Sequence, residues 1–320
     1  MEKNSEELSE NTKKDKKFIY RISFSLFKMT IILFLLLSNK KLNNQKYIDK
    51  LKYFFLNINK NKQTIHLIEK GILELYPNDR KNVVIETKNG TLFKSDILFL
   101  IIPGGSYRNL GKPEMYPVVK KFYSLGYSTA LLKYSVYPKK YPTNYNQGLK
   151  AIEILSTKFP KIILIGFSAG GHLAGMLGTT EREKLYNAIG MILCYPVISF
   201  VNKTHTFSRR NFLGQKNENN TEFQKLYSIE NRVNKDTLPT FIWTMKNDKV
   251  VPYENTLYMI EKLKEKKVKF EYKIFEKGRH GMALADDSAI RFGIKEYKNE
   301  EVAKWVELSC NFFESIIKNE

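Results

Sequence analysis

The sequence predicts an α/β fold, a mostly parallel central sheet with helices on both faces. Three observations carry this. Short, wholly apolar runs such as Ile97–Ile102 (ILFLII) recur along the chain, and such runs suit strands buried on both faces of a parallel sheet. Segments with helical spacing alternate with them, so the crossovers between strands are helices. The 320 residues are 42% hydrophobic and 13% aromatic. That suffices for one core of about 250 residues plus an appendage.

The appendage comes first. Residues 1–17 are polar and charged, and Phe18–Ser38 follows with a dense apolar stretch at Met29–Leu37. A bilayer span needs about 20 apolar residues. Phe18–Ser38 is long enough if Arg21 and Lys28 are tolerated. Lys28, near the middle, costs roughly 2.5–3.5 kcal/mol on an insertion scale. A signal-peptide core is the second reading, but Asn39-Lys40-Lys41 follow instead of a small-residue cleavage site. A soluble docking helix is the third. The expected location is therefore membrane-anchored or secreted, with attachment through Phe18–Ser38, or cytoplasmic on the third reading. Tyr47, Ile48, Leu51, Phe54, Phe55 and Ile58 then recur at helical spacing, which predicts a short amphipathic helix within 39–62. This gives an N-terminal region over residues 1–60 and an α/β domain over residues 61–320.

The domain opens with β-like runs at Gly71–Tyr76 and Asn82–Thr87 and a hairpin signal at Asn89-Gly90. Ile97–Ile102 is the first fully buried strand. Met115–Leu125 reads as a helix, Thr129–Tyr134 as a strand, Gln147–Phe159 as a helix and Lys161–Gly166 as a strand. A helix, the strand Ile189–Leu193 and a polar stretch of some 40 residues follow. Strand Thr240–Met245, helix Tyr253–Lys264 and strand Phe270–Phe275 complete the alternation. Val302, Trp305, Val306, Phe312, Phe313, Ile316 and Ile317 line one face of a C-terminal helix.

Charge and cysteines exclude more than they indicate. The net charge is +20, of which residues 1–70 carry +8 and the rest +12. The excess is Lys dispersed among Asn, with no basic block interleaved with aromatics, so no nucleic-acid partner is expected. Cys194 and Cys310 sit in apolar settings and read as core fillers. No Cys/His spacing suggests a metal, and no cofactor is expected.

The chemistry resides in Gly166-Phe167-Ser168-Ala169-Gly170, a G-x-S-x-G run between strand KIILIG and a small-residue helix. This strand–turn–helix setting is that of the nucleophile elbow of the α/β-hydrolase fold. The turn lifts the serine oxygen above the sheet, and bulky residues two positions either side would clash with backbone. A serine needs a base. Of the four histidines, His66 precedes the sheet, His172 lies just past the elbow and His205 falls in the polar stretch. His280, in Lys277-Gly278-Arg279-His280-Gly281, follows the last strand and is the expected base. In this fold the acid lies between serine and histidine. Only Asp236 and Asp248 are aspartates there. Asp236 precedes strand Thr240–Met245, at the wrong end, whereas Asp248 follows it, at the carboxyl edge where such sites form. For the oxyanion, the Ala169 amide needs a second donor. Pro103-Gly104-Gly105-Ser106-Tyr107, at the end of ILFLII, places Gly105 or Ser106 in that role.

PGGSY, GFSAGGHLAG, CYPVIS, SRRNFLG, LPTFIWTMKNDKVVPYENTL and FEKGRHGMALAD together resemble the acetyl-xylan-esterase-like branch of the α/β hydrolases, from about Lys70 to Lys318. The resemblance implies Ser168 as nucleophile, Asp248 as acid and His280 as base, with oxyanion amides at Gly105, Ser106 and Ala169. It implies an acetylesterase acting on a small-molecule or oligosaccharide ester. Ser106 departs from it, standing where a third glycine is common. The expected substrate contacts are Tyr107, as an aromatic for sugar stacking, and the segment between Ser199 and Leu238, which should shape the site. Trp243, inside a strand, is expected in the core. The rival readings are a serine peptidase or small-amide hydrolase of the same fold, and a membrane-tethered binding protein with an inactive hydrolase fold.

Overall fold

The computed structural model describes residues 58–81, 83–289 and 295–319. Phe18–Ser38 and most of the helix expected within 39–62 lie outside the described residues. No helix among the described residues is long and apolar enough to cross a membrane.

In chain order the elements are β1 Gln63–His66, β2 Ile72–Tyr76, β3 Val84–Thr87, β4 Gly90–Phe93, β5 Ile97–Ile102, α1 Tyr116–Ser124, β6 Ser128–Lys133, α2 Thr143–Ser156, β7 Lys161–Phe167, α3 Ala169–Gly178, β8 Ala188–Cys194, α4 Thr206–Leu213, α5 Thr221–Leu226, β9 Thr240–Met245, α6 Glu254–Glu265, β10 Phe270–Phe275, α7 Glu300–Ala303 and α8 Trp305–Lys318. The main sheet has eight strands in the order β1-β2-β6-β5-β7-β8-β9-β10. From β6 to β10 the pairs are parallel, and β1–β2 and β2–β6 are antiparallel. This is the mostly parallel sheet of the α/β-hydrolase fold that the alternation predicts.

Two details differ from expectation at the start. The Asn89-Gly90 turn does close a hairpin, but β3 and β4 form a separate two-stranded sheet. The main sheet opens instead with β1 (QTIH), a short, largely exposed strand. Its polar residues suit an edge, where pairing on one side only is satisfied and charge or polarity blunts the other.

Alternation along β5 builds the two layers. Leu98, Leu100 and Ile102 belong to a cluster shared with Ile152 and Leu155 of α2 and Leu173 and Leu177 of α3. Phe99 points to the opposite layer. There its ring centroid lies 4.5 Å from Phe122 of α1 and 4.8 Å from Tyr127. The same layer stacks Trp243 of β9 on Trp305 of α8, at 5.4 Å. Trp243 is therefore core, as expected, and both cysteines are buried. Because β5, β7, β8 and β9 run parallel, the loops after all four emerge along one rim.

Candidate active site

Ser168 directly follows β7 and immediately precedes α3. Its backbone is strained, with φ 52° and ψ −118°. The strain follows from packing. A Cβ on Gly170 would sit 2.2 Å from the Ile102 oxygen, and one on Gly166 would sit 2.4 Å from the Gly170 oxygen. Only hydrogen fits at either position, which lets β7 turn sharply into α3. The turn is fixed by Ser168 N–H donating to Cys194 O (2.9 Å) and by Val197 N–H donating to Ser168 O (3.1 Å). The positive end of α3 thus begins one residue from the serine oxygen.

The structure brings His280 and Asp248 to it. Ser168 Oγ lies 2.8 Å from His280 Nε2, and His280 Nδ1 lies 2.7 Å from Asp248 Oδ2. A carboxylate only accepts, so Nδ1–H donates to Asp248, and Nε2 of the neutral ring accepts from the serine hydroxyl. The Asp248 side chain is fully buried while that of His280 keeps 14% exposure. Asp248 Oδ1 takes the N–H groups of Val250 (2.8 Å) and Val251 (3.0 Å), which locks the carboxylate in place. Asp236 stays at the other end of β9, in a local turn with Asn234.

Gly105 and Ser106 line a cavity of about 630 Å³ together with Ser168, His280 and Val250. Gly104 O accepts from Gly111 N–H (2.9 Å), and Gly105 O accepts from Arg108 N–H (2.9 Å) and Asn109 N–H (3.1 Å). In a trans peptide the N–H points opposite the carbonyl, so the N–H groups of Gly105 and Ser106 are aimed away from that turn. Among the described residues neither these two N–H groups nor that of Ala169 has an acceptor. Ser106 adopts φ 58°, so its side chain is accommodated at some strain.

Two expectations require correction. Tyr107 is completely buried and offers no face to a sugar. Its hydroxyl donates to His172 Nδ1 (2.8 Å), whose Nε2–H donates to Tyr227 O (2.8 Å). Apolar burial of the ring among Phe212, Tyr134 and His172 outweighs exposure at the rim. Burial also drives the His172 pKa down to about 3, so this histidine stays neutral. The segment between Ser199 and Leu238 does not line the cavity either. Its Phe200, Phe212 and Ile229 pack into the core, and its Asn211 supports the site from behind, donating to Ser106 O at 2.8 Å. The cavity wall is instead the loop after β5, with Asn109, Leu110, Lys112 and Glu114. The sequence reasoning missed Glu114 and Tyr195. A buried Glu in a loop has no periodic signature, and Tyr195 lies 81 residues away from it.

The sequence profile of the prolyl oligopeptidase family matches residues 149–313. Endo-1,4-beta-xylanase B of Butyrivibrio fibrisolvens is 33% identical over 210 residues, 59% of this chain and 33% of that protein. An acetylxylan esterase of Xylanibacter ruminicola is 35% identical over 91 residues, 28% of this chain and 19% of that protein. The chain thus spans a third or less of the length of either curated relative. Among solved structures, the acetyl ester-xyloside bifunctional hydrolase from Caldicellulosiruptor lactoaceticus superposes with a TM-score of 0.65 at 29% identity, covering 79% of this chain and 91% of that one. These likenesses agree with the acetyl-xylan-esterase-like resemblance of the motifs.

Proposed function

The chain belongs to the prolyl oligopeptidase family of α/β hydrolases, and from that premise we propose that it is a serine esterase that removes acetyl groups from a carbohydrate. The observation that carries this reading is the unbroken hydrogen-bonded line from Ser168 through His280 to Asp248 at the mouth of the cavity. Ser168 Oγ attacks the ester carbonyl as His280 Nε2 takes its proton. Asp248 holds the ring in the required tautomer and stabilises its charged form. The carbonyl oxygen, now negative, is received by the N–H of Ala169 and by those of Gly105 and Ser106, which have no competing acceptor among the described residues. His280 returns the proton to the leaving alcohol, and water cleaves the acetyl-serine by the same route in reverse.

The substrate class rests on the relatives, two of whose names couple an acetyl ester with xylan or a xyloside. The test is turnover of acetylated xylo-oligosaccharides, short-chain acyl esters and aminoacyl amides by the purified full chain. Acetyl esters are expected to lead, and Ser168→Ala should lower their hydrolysis by several orders of magnitude without unfolding the protein. Faster cleavage of the amides would replace this reading with a peptidase. Unchanged turnover by Ser168→Ala would remove the serine mechanism altogether.

A further inference from the structure

The buried carboxylate of Glu114 stands where two loops of the site meet. Residue 114 is only 3% exposed. Its Oε2 accepts from Gly104 N–H at 2.7 Å, and its Oε1 accepts from the Tyr195 hydroxyl at 2.8 Å. The Tyr195 oxygen in turn accepts from Ala283 N–H at 3.0 Å. Gly104 directly precedes Gly105 and Ser106, which line the cavity with Ser168 and whose N–H groups have no acceptor among the described residues. Ala283 lies three residues beyond His280. Tyr195 also sets its ring edge-on to the His280 imidazole, with centroids 4.9 Å apart.

Relying on the serine-esterase reading above, we propose that Glu114 and Tyr195 are positioning residues: one buried carboxylate and one phenol set the oxyanion loop and the base loop at a fixed distance from Ser168. Neither side chain takes part in bond making. The backbone on both sides of the strut is held in strained conformations, with positive φ at Ser106 (58°), Tyr195 (37°) and Ala283 (50°). Strained backbone persists only where its surroundings over-determine it, and the strut supplies bonds to two of the three stretches. Burial first, and the neighbouring Glu114 charge second, push the Tyr195 phenol well above its ordinary range. It therefore remains a donor to Glu114 at any pH the protein would meet.

The geometry distinguishes this role from general core packing. In Glu114→Gln one of the two acceptor oxygens becomes an NH₂ donor, so either Gly104 N–H or the Tyr195 hydroxyl loses its acceptor at nearly constant volume. Tyr195→Phe removes the link to Ala283 and leaves the ring under His280. A displacement of a reacting group by about 1 Å costs on the order of 10²-fold in rate. Both variants should therefore lose kcat by roughly ten- to a hundredfold on p-nitrophenyl acetate, with KM changed by about twofold or less. Acting through one strut, they should not compound: the double variant should be no slower than the slower single variant.

The experiment measures three quantities for wild type, Glu114→Gln, Tyr195→Phe and the double variant, all as full chains. They are kcat and KM on p-nitrophenyl acetate, the rate at which a fluorophosphonate labels Ser168, and the thermal midpoint. Slower turnover and slower labelling together, at near-constant KM and without compounding, support the strut. Wild-type kcat and labelling rate in Tyr195→Phe overturn it, whatever happens to the thermal midpoint; so does a fall in midpoint alone. If Glu114→Gln does not fold, Tyr195→Phe alone decides by the same two rates. A wild type that is labelled at Ser168 but leaves the ester intact defeats the esterase reading, while the labelling rates of the variants still decide the strut.

Discussion

Asp248 has both oxygens committed: Oδ1 to two backbone N–H groups, Oδ2 to His280. An amide at this position offers one acceptor where three donors converge. Asp248→Asn must either turn its NH₂ towards Val250 and Val251, or present it to His280 Nδ1 and force the ring into the tautomer that cannot accept from Ser168. The second is the less crowded arrangement, and kcat is expected to fall about 10⁴-fold. Circular dichroism and turnover of the purified variant check this, and a folded Asp248→Asn of wild-type kcat would contradict the role. At this scale the meeting of Ser168, His280 and Asp248 was legible because few residues could compete: four histidines and two intervening aspartates, sorted by which end of a strand they follow. Tyr107 was misread because a sequence marks an aromatic beside a glycine turn but not the direction of its side chain, which a left-handed backbone at φ 57° turns into the core. Glu114 was illegible for a related reason. Its partners are a backbone amide and a phenol far away in the chain, and no spacing rule joins them.

Elements follow the apolar pattern closely where strands are buried on both faces. Strands β5 and β9 have the bounds their runs predict, β7 and β8 extend them by one or two residues, and β10 keeps its predicted bounds although it is a largely exposed edge strand. The pattern fails where burial is not the organising force. Strand β1 is polar and exposed, and helices α4 and α5 arise in a stretch whose buried residues are too few to show a period. The elbow between β7 and α3 yields the clearest element-scale prediction. Gly170→Ala places a methyl group against the Ile102 carbonyl, a contact no rotamer can relieve because both atoms belong to backbone-fixed positions. Strand β5 or helix α3 must shift, and labelling of Ser168 by a fluorophosphonate should be lost or slowed by at least about tenfold. Helix α8 acts from the other side of the sheet. Trp305 is fully buried and its Nε1–H donates to Ala283 O at 2.9 Å, so the C-terminal helix also holds the loop that carries His280. Trp305→Ala should cost about 3–5 kcal/mol of stability, measured by urea unfolding. A loss below about 1 kcal/mol would mean that α8 contributes little to the fold.

Over the whole molecule, acid should be the weak condition. Burial drives His172 from 6.5 to about 3. Burial also pushes Glu74 up, but hydrogen bonds from Lys133, Lys62 and Tyr76 prevail and hold it near 2, below its ordinary 4.5. Both groups refuse in the folded state protons that the unfolded chain takes. Stability is therefore full above their unfolded values and is lost as pH falls, between about 6.5 and 3 for His172 and between about 4.5 and 2 for Glu74. Urea midpoints across pH 7 to 3 should decline in that order. The slope between pH 6.5 and 4.5 should flatten in His172→Gln, whereas a slope unchanged by that substitution would place the acid sensitivity elsewhere. All of these features support one rim at which three side chains, brought from the ends of β7, β9 and β10, meet in hydrogen-bond contact, and on the proposed reading they act there on an ester. The direct measurement is intact-protein and peptide mass spectrometry after exposure of wild type, Ser168→Ala and His280→Ala to a fluorophosphonate. A single adduct on the Ser168 peptide, absent from Ser168→Ala and greatly slowed in His280→Ala, is the predicted result. No adduct in the wild type, or equal labelling of all three proteins, would contradict it.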